Sequence, residues 1–142
     1  MDNNIICSGA LFYSTSTKRF MFLQRTSEKT KGMWGLVGGK MKYTESAFEG
    51  LKREIEEEVG SVSKFKKVIP LEMFTSNDQK FYFHTYLIAI DNEFIPKLNE
   101  EHSGYCWCAF ECWPKNLHLG LKNTLNNKAI KGKLQTILDL IT

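Results

Sequence analysis

Gly39-Lys40-Met41-Lys42-Tyr43-Thr44-Glu45-Ser46-Ala47-Phe48-Glu49-Gly50-Leu51-Lys52-Arg53-Glu54-Ile55-Glu56-Glu57-Glu58-Val59-Gly60 is the stretch on which the fold turns. Four of the five residues from Glu54 to Glu58 are glutamates, and a helix-stopping glycine follows two positions on. The C-terminal end of a helix carries partial negative charge, so acids are repelled there. Like charges three and four residues apart add roughly 0.2–0.5 kcal/mol of penalty per pair. A chain that gathers acid at such a place implies a cation to set beside it.

The spacing predicts a helix from about Glu45 to Val59, with Thr44 as N-cap and Gly60 as stop. At about 100° per residue, Ala47, Phe48, Leu51, Ile55 and Val59 gather on one stripe that should be buried. Glu54, Glu57 and Glu58 share one face bordering that stripe, while Glu49, Lys52 and Glu56 point to water. Three carboxylates at the edge of a buried stripe would line a cleft, and divalent magnesium is the hard cation that carboxylates and phosphates hold between them. The alternative is a solvated acidic helix laced by Glu49–Arg53 and Lys52–Glu56 pairs.

Working outward, the segment resembles the Nudix box: Gly, five residues, Glu, seven residues, Arg-Glu, an aliphatic, any residue, Glu-Glu, any residue, Gly, an aliphatic. Gly39, Glu45, Arg53, Glu54, Ile55, Glu57, Glu58 and Gly60 stand at the required spacing. Ser61 departs from the aliphatic, and Leu36-Val37-Gly38-Gly39 lacks the proline usual before the two glycines. The resemblance implies an α/β/α sandwich with a mixed sheet, residues 1–142 forming a single domain. It implies Glu54, Glu57 and Glu58 as metal ligands, joined by the Gly38 carbonyl. Arg53 would orient the glutamates, Glu45 would pair with Arg53 as structural support, and Gly39 would lie against substrate. A further acid is often recruited outside the box in this family. Glu101 is the first candidate for that extra ligand or general base and Glu100 the second, both in Asn99-Glu100-Glu101-His102. His102 is an alternative base, because its ordinary pKa lies near neutrality.

Composition agrees with an ordinary globular chain. It has 142 residues, 42% hydrophobic and 25% charged, with a net charge of +3 that gives no reason to expect nucleic-acid binding. No apolar run approaches the roughly 20 residues needed to span a bilayer, and the N-terminus has no secretory pattern. A cytoplasmic location is expected, with homodimerisation left open. Cys106, Cys108 and Cys112 form C-x-C-x3-C, which is not structural-zinc spacing. On a strand Cys106 and Cys108 face the same way and read as small apolar residues of a reducing compartment, and Cys7 reads as a buried strand residue.

Strands are expected at Ile5 to Tyr13, Phe20 to Gln24, Trp34 to Val37 and Tyr105 to Phe110. Phe65 to Thr75 and Lys80 to Ile90 should form an antiparallel pair across Ser76-Asn77-Asp78. A Gly38-Gly39 turn should lead to the acidic helix, and helical pattern follows Trp113-Pro114, best around Leu134 to Ile141.

The chemistry implied is hydrolysis of a diphosphate with Mg2+, Mn2+ serving as a substitute. Divalent ions neutralise the phosphate oxygens and acidify a bound water. Arg25 ends a strand and could fork onto a phosphate, or be a plain surface arginine. Trp34, Phe83 and Tyr86 read as core before base-stacking residues. Asn77 stands where ADP-ribose hydrolases tend to have proline, and the tyrosine of dinucleoside-polyphosphate hydrolases is missing further on. Arg25 to Gly39 and Glu101 to Tyr105 resemble GDP-mannose hydrolases, which depart from the box and attack the sugar carbon. With the box kept, the expectation is attack at phosphorus in a small-molecule nucleotide, foremost a (d)NTP giving (d)NMP and pyrophosphate. The alternatives are an NDP-sugar hydrolase and a catalytically silent nucleotide-binding domain.

Overall fold

Two ten-residue strands, β1 (Ile5–Ser14) and β6 (Phe81–Ile90), run parallel from the pair Ile5↔Phe81 to the pair Ser14↔Ile90. This computed structural model describes residues 4–141. Parallel neighbours need a long connection. Here it carries β2 (Arg19–Arg25), β3 (Trp34–Gly35), β4 (Val37–Lys40), α1 (Ala47–Val59) and β5 (Lys67–Thr75). β7 (His102–Ala109), α2 (Leu119–Asn126) and α3 (Lys128–Ile141) complete the order.

The seven strands make one mixed sheet. β5 lies antiparallel on β6, as expected, with a register shift between Pro70 and Glu72. The other edge of β1 is divided. Tyr13 and Ser14 pair with Phe20 and Arg19 of β2, whereas Cys7 to Ala10 pair with Lys40 to Val37 of β4. β2 in turn holds β3 through Leu23↔Gly35 and Gln24↔Trp34, and carries β7 along its far edge. Residues 34–40 are therefore a wedge driven between β1 and β2.

Alternation of side chains gives the sheet two apolar faces. Ala10, Phe12, Met21, Leu23, Ile88 and Ile90 meet Leu51, Ile55 and Val59 of α1. Leu11, Tyr13, Phe20, Phe22, Leu87 and Ala89 meet Leu121 and Leu125 of α2 and Leu134 and Leu138 of α3. Helices on both sides of a mixed sheet make the expected α/β/α sandwich. Burying each large aliphatic side chain contributes about 1.5–3 kcal/mol, several times the repulsion of one glutamate pair, so the acidic end of α1 stays helical. Among the described residues no helix is long and apolar enough to cross a membrane.

Four local expectations are corrected. The N-cap of α1 is Ser46, not Thr44, and Glu45 lies outside the helix. Ser46 Oγ accepts from the Glu49 amide at 3.1 Å, and Glu49 Oε1 accepts from the Ser46 amide at 3.1 Å. This reciprocal box satisfies two orphan donors, whereas the residue three after Thr44 is Ala47, which has nothing to return. Gly38 and Gly39 form no turn; they belong to β4 and pair with Gly9 and Ser8. β7 starts at His102, three residues before the expected Tyr105, because the pairing runs on to Arg25. Cys7 is half-buried.

Candidate active site

The last turns of α1 lie over β4, and the two glycines there do different work. Gly38 sits at φ 152, and a Cβ on it would overlap the carbonyl oxygen of Ser8 on β1. Only glycine takes up that conformation against that neighbour. A Cβ on Gly39 would stand 2.9 Å from the carboxyl carbon of Glu54, so its absence is what lets the helix acid approach the strand.

The three glutamates of the expected face lie at different depths. The Glu58 side chain is 2% exposed, that of Glu54 12% and that of Glu57 54%. Glu58 Oε1 accepts from the Gly38 amide at 3.1 Å. Burial, with Glu54 beside it and the charges of Glu54 and Glu101 nearby, pushes the Glu58 carboxyl up to about 9, against the opposing Gly38 N–H. An ionised Glu58 thus lacks compensating positive charge in this pocket.

Arg53 ties the other acids together. Its Nη1 donates to Glu54 Oε1 at 3.0 Å and to Glu57 Oε2 at 3.3 Å, and its Nη2 to the Lys40 carbonyl at 3.3 Å. Its Nε and Nη2 fork onto the Glu45 carboxylate. Glu45 also accepts from the Lys42 amide at 2.7 Å. The Arg53 hydrogen bonds, then the Lys42 amide, hold the Glu45 carboxyl down at about 2. Gly50 makes room for this: a Cβ there would lie 3.0 Å from Glu45 Oε1 and would overlap the Met41 sulfur.

The segment before β7 closes the site. Asn99 Nδ2 donates to the Glu57 carbonyl at 2.9 Å and to Glu101 Oε2 at 3.4 Å, and Asn99 Oδ1 accepts from the Glu101 amide at 2.9 Å. The Thr26 amide donates to the Glu101 carbonyl at 3.2 Å, and Thr26 Oγ1 to that of Glu100 at 2.7 Å. Glu101 is thereby brought close enough to Glu58 for its charge to act there. His102 is 8% exposed, and its buried Nδ1 has no hydrogen-bond partner. That nitrogen lies 4.0 Å from Glu58 Oε1. Burial, then the Arg25 charge, lowers the imidazole to about 4 and keeps it neutral at pH 7.

Arg25 faces His102 across the β2–β7 pairing, and its Nε donates to Thr30 Oγ1 at 2.8 Å. Its charge also reaches His118, whose pKa is lowered by burial first and by Arg25 second. The aromatics divide. Tyr86 stacks on His84 and tilts against Phe48 of α1, whereas Trp34 packs against the opposite core. Phe83 would touch a Cβ on Gly9 at 3.0 Å.

Among the described residues no three His, Cys, Asp or Glu side chains converge as a ready-made metal cage. Mg2+ does not ask for one. It keeps several waters and takes one or two carboxylates plus substrate phosphates. The donor set here is all hard oxygen, and the buried carboxyl of Glu58 lacks positive charge, so Glu54, Glu57, Glu58, Glu101 and the Gly38 carbonyl fit that ion. Cys106 and Cys108 put their sulfurs 3.7 Å apart on one face of β7, and all four cysteines are free.

Two residues that matter to this geometry escaped the sequence reading. Asn99 bolts the Glu101 segment to the end of α1, and its signal was an Asx side chain two residues before an acid. Thr30 fixes the Arg25 guanidinium from a loop whose path no periodicity encodes.

A model of the NUDIX domain matches residues 6–127. Nudix hydrolase 7 of Arabidopsis thaliana is 32% identical over 69 residues, which are 47% of this chain and 24% of that protein. The chain thus matches about a quarter of that relative's length. The crystal structure of a MutT NUDIX hydrolase from Burkholderia pseudomallei has a TM-score of 0.72 at 23% identity, covering 88% of this chain and 98% of that one. The E. coli dihydroneopterin triphosphate pyrophosphohydrolase has a TM-score of 0.69 at 18% identity, covering 89% and 95%.

Proposed function

This chain belongs to the Nudix hydrolase family, which acts on phosphoric anhydride bonds in nucleoside diphosphate-linked compounds, and we propose that it is a Mg2+-dependent pyrophosphohydrolase of a (d)NTP. The products are (d)NMP and pyrophosphate, formed by water attack at phosphorus. One observation carries the proposal: Glu54 and Glu58 meet over two backbone glycines, with the buried Glu58 short of a cation. A protein of the same fold is named as a triphosphate pyrophosphohydrolase, which supports the leaving group.

Glu54, Glu57, Glu58, Glu101 and the Gly38 carbonyl would hold the ion. When bound, Mg2+ or its substitute Mn2+ withdraws charge from the diphosphate oxygens and acidifies a water. Arg53 holds Glu54 and Glu57 side by side. Glu101, tethered by Asn99 and next to Glu58, takes the proton of the attacking water. Arg25, fixed at Nε by Thr30, presents its Nη groups as a fork for a phosphate. Gly39, whose missing side chain admits the Glu54 carboxylate, would lie against the substrate beside that acid. Four free thiols accord with the cytoplasm as its place of work.

The test is hydrolysis of a panel of (d)NTPs and NDP-sugars in ¹⁸O-labelled water, with Mg2+ and with chelator. The expected result is Mg2+-dependent release of (d)NMP and pyrophosphate, with label on a phosphate product. Label on a sugar hydroxyl alone replaces this reading with sugar-carbon attack. Nucleotide binding without turnover replaces it with a silent domain.

A further inference from the structure

We propose that His102 is a positioning residue whose Nδ1–H donates to Glu58 Oε1 and, with the Gly38 amide, fixes the carboxylate that faces the cation. The inference rests on the metal-dependent reading above and extends it to a residue that reading leaves unused.

A buried polar nitrogen without a partner is uncommon in folded proteins and calls for a reason. His102 Nδ1 is such an atom, and Glu58 Oε1 lies 4.0 Å away. Closing to hydrogen-bond distance takes about 1 Å, within reach of a small turn of the Glu58 side chain. Both side chains are shut away from water, at 6% and 2% exposure, so a bond between them faces little competition from solvent.

The donor stands on firm ground. His102 is the first residue of β7, paired with Arg25 of β2, and its amide donates to the Asn99 carbonyl at 3.3 Å. Oε1 already accepts from the Gly38 amide on the other side. Two donors on Oε1 leave Oε2 as the oxygen offered to the cleft. Hydrogen-bonding partners of this kind orient a ligating carboxylate, and losing one commonly costs about 10–100-fold in metal affinity. Glu101 lies in the turn before β7 and is held there by Asn99, so it can face the cleft while His102 backs Glu58 from inside.

The experiment titrates the 142-residue chain with Mn2+ alone, reading free Mn2+ by electron paramagnetic resonance, with no substrate present. The variants are Glu58→Gln, His102→Leu, His102→Asn and His102→Gln, each checked by thermal melting. The asparagine amide can occupy the place of Nδ1; the glutamine amide falls nearer Nε2. Glu58→Gln should weaken Mn2+ binding, His102→Leu and His102→Gln should weaken it about 10–100-fold, and His102→Asn should recover most of the loss. If His102→Leu does not fold, the comparison of Asn with Gln decides alone. Equal affinities for Asn and Gln overturn the inference while leaving the metal reading intact. Wild-type affinity in Glu58→Gln overturns the metal reading and this inference with it.

Discussion

Arg53 and Glu45 are joined twice, Nε to Oε2 at 2.7 Å and Nη2 to Oε1 at 3.0 Å. The fork reaches from inside α1 to a residue before its N-cap, so the loop dictates where the guanidinium points. Nη1 is then left for Glu54 and Glu57. Glu45→Gln should therefore lower kcat by about 10–100-fold with an unchanged circular dichroism spectrum. Steady-state kinetics at saturating Mg2+ checks this, and an unchanged kcat would show that Arg53 orients nothing.

The two glycines of β4 should fail differently. Gly39→Ala meets a flexible carboxylate, so the protein should fold and Glu54 should shift, lowering activity by about tenfold or more. Gly38→Ala meets backbone and a strained φ, so stability should fall by about 1–3 kcal/mol or more. Melting curves and turnover measured side by side separate them, and the reverse ranking in stability would sink this account of the strand.

Stability of the chelated protein should depend on pH through Glu58 in one direction and through His102, joined by His118, in the other. Glu58 sits at about 9 when folded against an ordinary 4.5, so the folded state holds the extra proton between those values and stability falls as pH rises. His102 sits at about 4 against an ordinary 6.5, so the unfolded state holds the extra proton there and stability falls as pH drops through that window. The histidines oppose Glu58 below 6.5, leaving pH 6.5 to 9 to report on Glu58. Across that range Tm of the wild type in chelator should decline and that of Glu58→Gln should not. Parallel declines in both would assign the slope elsewhere.

Glu101→Gln should lower kcat by about 10²–10⁴-fold, the usual range for a lost general base. Glu100→Gln should do far less, because its segment is held by its carbonyl, through Thr26, and not by its side chain. Equal small effects in both variants would return Glu101 to the role of a solvated loop acid.

What could be read in the sequence was angle, and what could not was depth. Periodicity placed Glu54, Glu57 and Glu58 on one side of a helix. It could not say that one would be buried and another half in water, because that depends on how far each leans toward β4. The Arg53–Glu45 contact was anticipated by the motif, although Glu45 itself proved to lie outside the helix. Thr44 and Ser46 are both acceptable caps locally, and Glu49 decides between them. The strand character of Gly38-Gly39 was hidden because two glycines read as a turn, while their pairing partners, Gly9 and Ser8, lie in a different part of the chain. The place of His102 was invisible for the same reason.

The wedge of residues 34–40 has a consequence for how such a protein can diversify. The loop ahead of it is pinched at its neck, where the Arg25 amide donates to the Met33 carbonyl and the Gly32 amide to the Arg25 carbonyl. Beyond the neck the loop is tied by Thr30, whose Oγ1 lies 2.6 Å from Ser27 Oγ and accepts from Arg25 Nε. Glu28, Lys29 and Lys31 are exposed, so changing their side chains leaves Thr30 on Arg25 and the register of Gly38 and Gly39 against β1 as they are. Evolution can thus vary the charge carried on this loop while the proposed site behind it is inherited without alteration.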